Sequence, residues 1–356
     1  MSSAEKNFIK AEKLREHGSF APALKYYSLA LKQKISPAAY FGLGGCLRLT
    51  GKFKEALKAY KNGLSLLSKD GAEYADGLMG LGMSLRGLSK YKAAEKYFKL
   101  AGKIYLKNRD EQGLAYCLWC SGGLLRILGK LKEGRACFGK SLSIYRKLKD
   151  ESGTAYALAG TGGILRMLGE YKDSHECYRK AAGMFKKQKD TFGFAYCNCG
   201  MGSAARMSFK PEVSVEYYRI AVKNYRKITD EINIAFVLWG YANTLLTAGR
   251  LKEAEKLHRE SAALFKKHDD KRGKVYAELQ GGELERLKTN LPLAVKKFKS
   301  ALKNARKFGF KFEALHAKTG LFYCGKGKET GREYSKIKSK WPDVLKRNTP
   351  VVLNFP

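Results

Sequence analysis

The chain has 356 residues, 44% of them hydrophobic and 12% aromatic, enough apolar material for a large folded body; at this length a chain splits into domains unless it is a repeat array. Lys and Arg total 69 against 33 Asp and Glu, and a formal charge of +36 attracts nucleic acid, acidic peptide segments or anionic headgroups. Eight cysteines are too few for a disulfide framework at this size, and no stretch reaches membrane-spanning length without charge. Residues Met1 to Phe8 contain no apolar run of leader type, so a cytoplasmic protein without membrane insertion is expected.

The first elements in chain order are short helical patterns, followed by longer ones that repeat. Apolar or small residues return every three or four positions in stretches such as Lys52 to Tyr60 and Arg250 to Leu257. Pairs of such stretches divide the chain at about 3–34, 36–69, 70–109, 110–149, 150–189, 190–229, 230–269 and 270–307. A degenerate ninth unit covers 308–340, including a helix from Lys328 to Trp341, and residues 341–356 form a tail without helical period. The stretch Cys120 to Lys130 returns 40 residues later as Gly160 to Glu170, and a related one, Gly80 to Lys90, precedes it by 40. Within it an arginine recurs at Arg48, Arg86, Arg126, Arg166, Arg206 and Arg286.

Punctuation falls at fixed places. Asp70, Asp110, Asp150, Asp190, Asp230 and Asp270 precede apolar-periodic runs and suit helix N-caps, with a glycine three residues on at Gly113, Gly153, Gly193 and Gly273. Gly51, Gly129, Gly169 and Gly249 occupy the tight turn between paired helices, and Pro211 opens the second helix of unit six. The order of small residues, turn glycine, aromatic and alanine, carried by Lys52 to Tyr60, Lys90 to Phe98 and Lys130 to Phe138, resembles the tetratricopeptide repeat. The period of 40 resembles the long-repeat branch, which includes spindle-orientation scaffolds and bacterial response-regulator-binding proteins. The resemblance covers about residues 3–324. It implies an all-α fold: one right-handed α-solenoid, or superhelix, of antiparallel helix pairs, with the first helices lining a concave groove.

Stepping 100° per residue places Tyr116, Trp119, Gly123 and Ile127 on one arc of the first helix of unit four, with Arg126 at its edge. The same arc carries Tyr156, Gly163 and Arg166, then Tyr196 and Arg206, then Phe236, Trp239 and Asn243, then Tyr276 and Arg286. An aromatic stripe and an arginine stripe over a glycine floor are therefore expected to bind a ligand. Helical glycine costs about 0.5–1 kcal/mol relative to alanine, so Gly123 and Gly163 imply close approach of a ligand or of a neighbouring unit. A plainer reading stands beside it: such arginines pair with a carboxylate of the adjacent unit or face the negative helix end, and the tyrosines pack between units.

Cys117-x-x-Cys120 has no second pair at zinc spacing, and no nucleophile, phosphate-loop or dinucleotide pattern is present. No enzymatic activity, metal or cofactor is expected. The leading reading is a non-enzymatic adaptor for an acidic or extended protein segment. Rungs about 8–10 Å apart meet every third residue of a strand advancing about 3.3 Å per residue. The alternatives are RNA or single-stranded nucleic-acid binding through the arginines and tyrosines, and a scaffold that self-associates weakly through open repeat ends.

Overall fold

The computed structural model describes residues 1–328 and 330; the expected helix Lys328 to Trp341, past its start, and the tail at 341–356 lie outside them. The fold is all-α, and the described residues hold seventeen helices in consecutively packed pairs. Two compact units divide the chain, residues 1–124 and residues from 125 on, although the sequence reads as one array.

In the first unit α1 (Ser3–Glu16) pairs with α2 (Phe20–Gln33), α3 (Pro37–Leu49) with α4 (Phe53–Leu64) and α5 (Ala72–Gly87) with α6 (Tyr91–Lys107). Helix α7 (Glu111–Ile127) carries the boundary. The second unit contains α8 (Leu131–Lys147), α9 (Glu151–Leu168), α10 (Tyr171–Lys187), α11 (Thr191–Met207) and α12 (Pro211–Lys227). It continues with α13 (Glu231–Thr247), α14 (Leu251–Lys267), α15 (Lys271–Leu287), α16 (Leu291–Phe308) and α17 (Lys311–Tyr323). In each unit a first helix also touches the next first helix: α1 on α3 and α3 on α5, and in the second unit α9 on α11, α11 on α13, α13 on α15 and α15 on α17. That contact joins the first helices into one layer within each unit.

Aspartate caps start several helices. Asp110, Asp150, Asp190 and Asp270 accept from the amides of Gly113, Gly153, Gly193 and Gly273, and Asp230 accepts from Asn233. Asp70 is the exception: Gly71 precedes α5 without a side-chain cap, and the Asp70 carbonyl instead accepts from Asn108 Nδ2 at 2.7 Å. The glycine after each cap has a second cause. A Cβ at Gly113, Gly153, Gly193 or Gly273 would run into the ring of Tyr105, Tyr145, Phe185 or Phe265, the last aromatic of the preceding pair.

Rings also explain the glycines inside the first helices. Tyr60 lies against Gly44 and Gly80, Tyr178 against Gly162 and Gly200, Tyr218 against Gly202 and Gly240, and Phe298 against Gly282 and Gly320. Four second helices, α4, α10, α12 and α16, thus each drive one large ring between two first helices, and a side chain on either would overlap it. These rings are buried, Tyr178 and Tyr218 fully, and belong to the core of their units.

The turn within a pair takes a left-handed residue. Gly51, Gly129, Gly169 and Gly249 have positive φ, while Ser89, Phe209 and Thr289 adopt the same conformation without being glycine. Gly129 bears on the second unit as a whole: a Cβ there would lie 3.2 Å from the Phe312 ring of α17. The last described helix therefore returns to the turn that opens the unit.

Candidate functional site

The sequence-predicted residues of the first unit are Arg48, Arg86, Tyr116, Trp119 and Gly123. Arg48, near the end of α3, reaches the Tyr60 hydroxyl, and its Nε is buried with no hydrogen-bond partner among the described residues. The Arg86 guanidinium passes over Gly123, where a Cβ would sit 3.6 Å from Nη1. Tyr116 is 39% exposed and stacks on Trp119 with ring centroids 6.1 Å apart. The two cysteines beside them are ordinary core groups: Cys117 donates its thiol to the Phe98 carbonyl, and Cys120 is buried.

The second unit brings more of the predicted residues together. Arg126, Arg166, Tyr196, Phe236, Trp239 and Tyr276 line one cavity of about 230 Å³. Arg126 reaches the Tyr196 hydroxyl, and its guanidinium lies over Gly163. A Cβ at Gly163 would overlap Arg126 Nη1 and come 3.3 Å from the Tyr178 hydroxyl, so the missing side chain lets these two groups converge. At Gly163, then, the arginine of the preceding unit makes a close approach, whereas at Gly123 the Arg86 guanidinium stands at an ordinary contact distance that leaves room for a Cβ.

Other predicted residues are placed differently. Arg206 is only 2% exposed; it reaches the Tyr218 hydroxyl, while its Nε and Nη1 find no hydrogen-bond partner among the described residues. Asn243 is buried, with Nδ2 likewise unsatisfied. Arg286 is corrected from a ligand-facing group to half of a buried ion pair: its Nε and Nη2 donate to Glu283 at 3.0 and 2.6 Å. Tyr156 of α9 donates its hydroxyl at 2.8 Å to Asp190, the cap of α11 in the next pair, and sets its ring edge-on to Phe185 of α10 in its own pair. Trp239 donates Nε1 to the Tyr276 carbonyl at 3.2 Å, and the two rings lie 4.6 Å apart in the cavity wall.

The cavity also holds residues that the arc pattern does not pick out. Tyr178 and Tyr218 follow Arg166 and Arg206 by twelve residues, as Tyr27 follows Arg15 and Tyr60 follows Arg48, an offset legible in the sequence. The direct case is Arg15, whose Nε donates to the Tyr27 hydroxyl at 3.1 Å. Arg272 occupies a position where the other units have no arginine, so no period announces it. Its side chain pairs with the fully buried Glu313 of α17 and lies over the rings of Tyr276 and Phe310.

Three guanidiniums therefore face the cavity, from Arg126, Arg166 and Arg272, and among the described residues no carboxylate lines it. Burial pushes the phenols of Tyr178, Tyr218 and Tyr225 above their ordinary range and the Cys199 thiol up to about 11. All stay protonated at neutral pH, so the wall offers hydroxyl donors and adds no negative charge. Among the described residues there is no group of three or more His, Cys, Asp or Glu able to hold a metal, and no helix long and apolar enough to cross a membrane.

Residues 10–70 and 114–187 match family models of the tetratricopeptide repeat. No curated protein matches the chain. Among solved structures, a Rap protein complexed with competence and sporulation factor superposes with a TM-score of 0.66 at 10% identity, covering 94% of this chain and 99% of that one. The apo form of RapI gives 0.61 at 18% identity over 76% and 97%. Aspartyl phosphate phosphatase F from Bacillus subtilis gives 0.57 at 12% identity over 97% of both. At these identities the likeness is one of fold.

Proposed function

We propose that this chain, a member of the tetratricopeptide-repeat superfamily, is a non-enzymatic adaptor that holds an extended acidic segment of a partner protein against the inner face of its second unit. The fold is one suited to protein interaction, and a neighbour of the same fold is solved with competence and sporulation factor bound. One observation carries the reading to this chain: Arg126 and Arg166 line one cavity with Tyr196, Phe236 and Trp239. Guanidiniums take carboxylates through paired, charge-assisted hydrogen bonds, and aromatic walls supply apolar contact between them. The first-helix spacing matches every third residue of an extended segment, which sets the register of its acidic side chains.

Nucleic-acid binding draws less support. Stacking needs accessible ring faces, whereas Tyr156 is engaged with Asp190 and Phe185, and Tyr276 lies buried against Trp239. The net charge of +36 still attracts any polyanion, so the test includes one.

Fluorescence anisotropy with a labelled peptide bearing glutamate at every third position tests the proposal, with the lysine analogue and a single-stranded oligonucleotide as comparisons. The glutamate peptide is expected to bind, and the double variant Arg126→Gln, Arg166→Gln to weaken it by roughly tenfold or more. Equal binding by the double variant, or tighter oligonucleotide binding that the double variant also loses, overturns the reading.

A further inference from the structure

The exposed face of α16 concentrates positive charge that no carboxylate among the described residues answers. We infer that this face binds the phosphate backbone of a nucleic-acid duplex without reading its sequence. The surface is separate from the cavity of the adaptor reading, since no residue of α16 lines that cavity.

Five exposed cations share one side of the helix: Lys296, Lys299, Lys303, Arg306 and Lys307. Stepping 100° per residue keeps them within an arc of about 100° over about 16 Å of helix. Among the described residues none of the five forms an ion pair. Glu278 of α15 reaches the edge of the arc, but there it accepts from Ser300 Oγ at 2.7 Å and from Asn304 Nδ2 at 3.1 Å. At the end of the stripe the ammoniums of Lys307 and Lys271 stand 5.7 and 5.2 Å from the centre of one ring, that of Phe308, and Lys271 is exposed as well.

A solvated lysine face is the ordinary alternative, and the other second helices of this unit have such faces. Helices α8, α10, α12 and α14 each contain at least one Asp or Glu. In α10 Glu176 pairs with Arg179 and Lys180, and in α14 Glu255 pairs with Arg259. Helix α16 has no acid and sets like charges three and four residues apart, at Lys296 and Lys299, Lys299 and Lys303, and Lys303 and Lys307. Like charges at this spacing destabilise a helix, and a bound polyanion turns their repulsion into attraction.

The chemistry of the stripe selects the polyanion. About 16 Å of duplex carries about nine phosphate charges, roughly half of them on the side that faces a bound helix, which matches five cations. Lysine meets phosphate as a point charge, suited to contacts that position a duplex and carry no base readout. A membrane-bound helix buries apolar side chains about 5–10 Å deep. Here Ala294, Phe298, Ala301 and Ala305 are buried in the core, and Leu291, the exposed large apolar residue of α16, falls outside the arc. Protein interfaces centre on aromatic or arginine anchors in desolvated pockets, whereas four of these five cations are exposed lysines. Single strands stack their bases on rings, and the arc carries no aromatic residue.

Fluorescence anisotropy of the full chain with a labelled duplex of about 20 base pairs, between about 0.05 and 0.3 M salt, tests the inference. Log affinity is expected to fall linearly with log salt. The variant Lys296→Gln, Lys299→Gln, Lys303→Gln, Lys307→Gln should weaken binding by roughly tenfold or more at about 0.1 M salt and reduce the slope by roughly 3. A variant that removes the same charge from exposed lysines of α10, Lys172→Gln, Lys180→Gln, Lys186→Gln, Lys187→Gln, should change the slope by less than about 1. If the first variant fails to fold, Lys299→Gln, Lys303→Gln replaces it, with an expected fall in slope of roughly 2. DNA and RNA duplexes of one sequence, run in parallel, identify the source by the tighter of the two.

Equal losses in the α16 and α10 variants would trace the binding to the net charge of +36 and overturn the inference. An unchanged slope in the α16 variant, tighter binding of a single strand than of the duplex, or no duplex binding at all would overturn it too. So would phosphatidylserine vesicles that bind in preference to the duplex and are lost in the same variant. The adaptor reading fails or stands apart from this. Binding of the glutamate peptide should survive the α16 variant, and duplex binding should survive the double variant Arg126→Gln, Arg166→Gln.

Discussion

Gly139 in α8 and Gly200 in α11 are both helical, yet a methyl group would meet opposite surroundings at the two. Nothing lies within 4 Å of a Cβ at Gly139, whereas a Cβ at Gly200 runs into the Tyr178 ring. That ring already touches Gly162 on its other side and is almost fully buried, so it has no room to retreat. Gly139→Ala is therefore expected to stabilise the protein by about 0.5–1 kcal/mol through helix propensity alone. Gly200→Ala should destabilise it by about 1–3 kcal/mol through overpacking. Urea unfolding followed by circular dichroism measures both; the same sign for the two would refute ring packing as the cause of the glycine load. The arginines follow similar logic on the polar side: Arg48 and Arg206 each reach a tyrosine hydroxyl, Arg86 and Arg126 each lie over a glycine, and Arg286 is tied to the internal carboxylate of Glu283.

Between helices, the turns show what the chain accepts in order to keep its period. Phe209 joins α11 to α12 with φ at +55°, in the conformation that Gly169 supplies at the equivalent turn, and its side chain is exposed. A left-handed bulky residue costs about 1–2 kcal/mol, and glycine gives back about 0.5–1 kcal/mol of that through its looser unfolded chain. Phe209→Gly should consequently raise stability by about 0.5–1 kcal/mol, read as a shift of the urea midpoint at unchanged slope. No shift would mean that the turn is relaxed as it stands. At this scale the sequence is informative because its signals are local. Asp150 and Asp190 cap the helices they precede, and Pro211 opens α12. Twelve residues, made of the end of α9, a tight loop and about two turns of α10, separate Arg166 from Tyr178, and that offset can be read directly from the chain. Arg272, Glu313 and Phe312 are not legible in this way, because their partners are set by where α17 arrives and no local pattern encodes that.

Long-range closure governs the second unit as a whole. Helix α17 brings Phe312 against Gly129, Glu313 to Arg272 and His316 into the field of Arg206. His316 is buried, and burial, with Arg206 adding to it, lowers its pKa from the ordinary 6.5 to about 3. His175 and His258 are shifted the same way by burial. In the unfolded chain an imidazole takes up a proton as pH falls through about 6.5, while folded His316 resists until about 3. Over that interval the unfolded state binds more protons, so stability falls as pH falls, by about 1.4 kcal/mol per unit for one such group. Between pH 7 and 5 His316 alone is expected to remove about 2 kcal/mol. His316→Gln, which does not titrate, should flatten the profile while lowering stability at neutral pH. The measurement is urea unfolding of both proteins from pH 7.5 to 4.5. Parallel profiles would show that α17 does not seat a neutral imidazole beside Arg206. Convergence towards low pH would place the acid sensitivity of this unit at the helix that closes it, next to the cavity on which the functional reading depends.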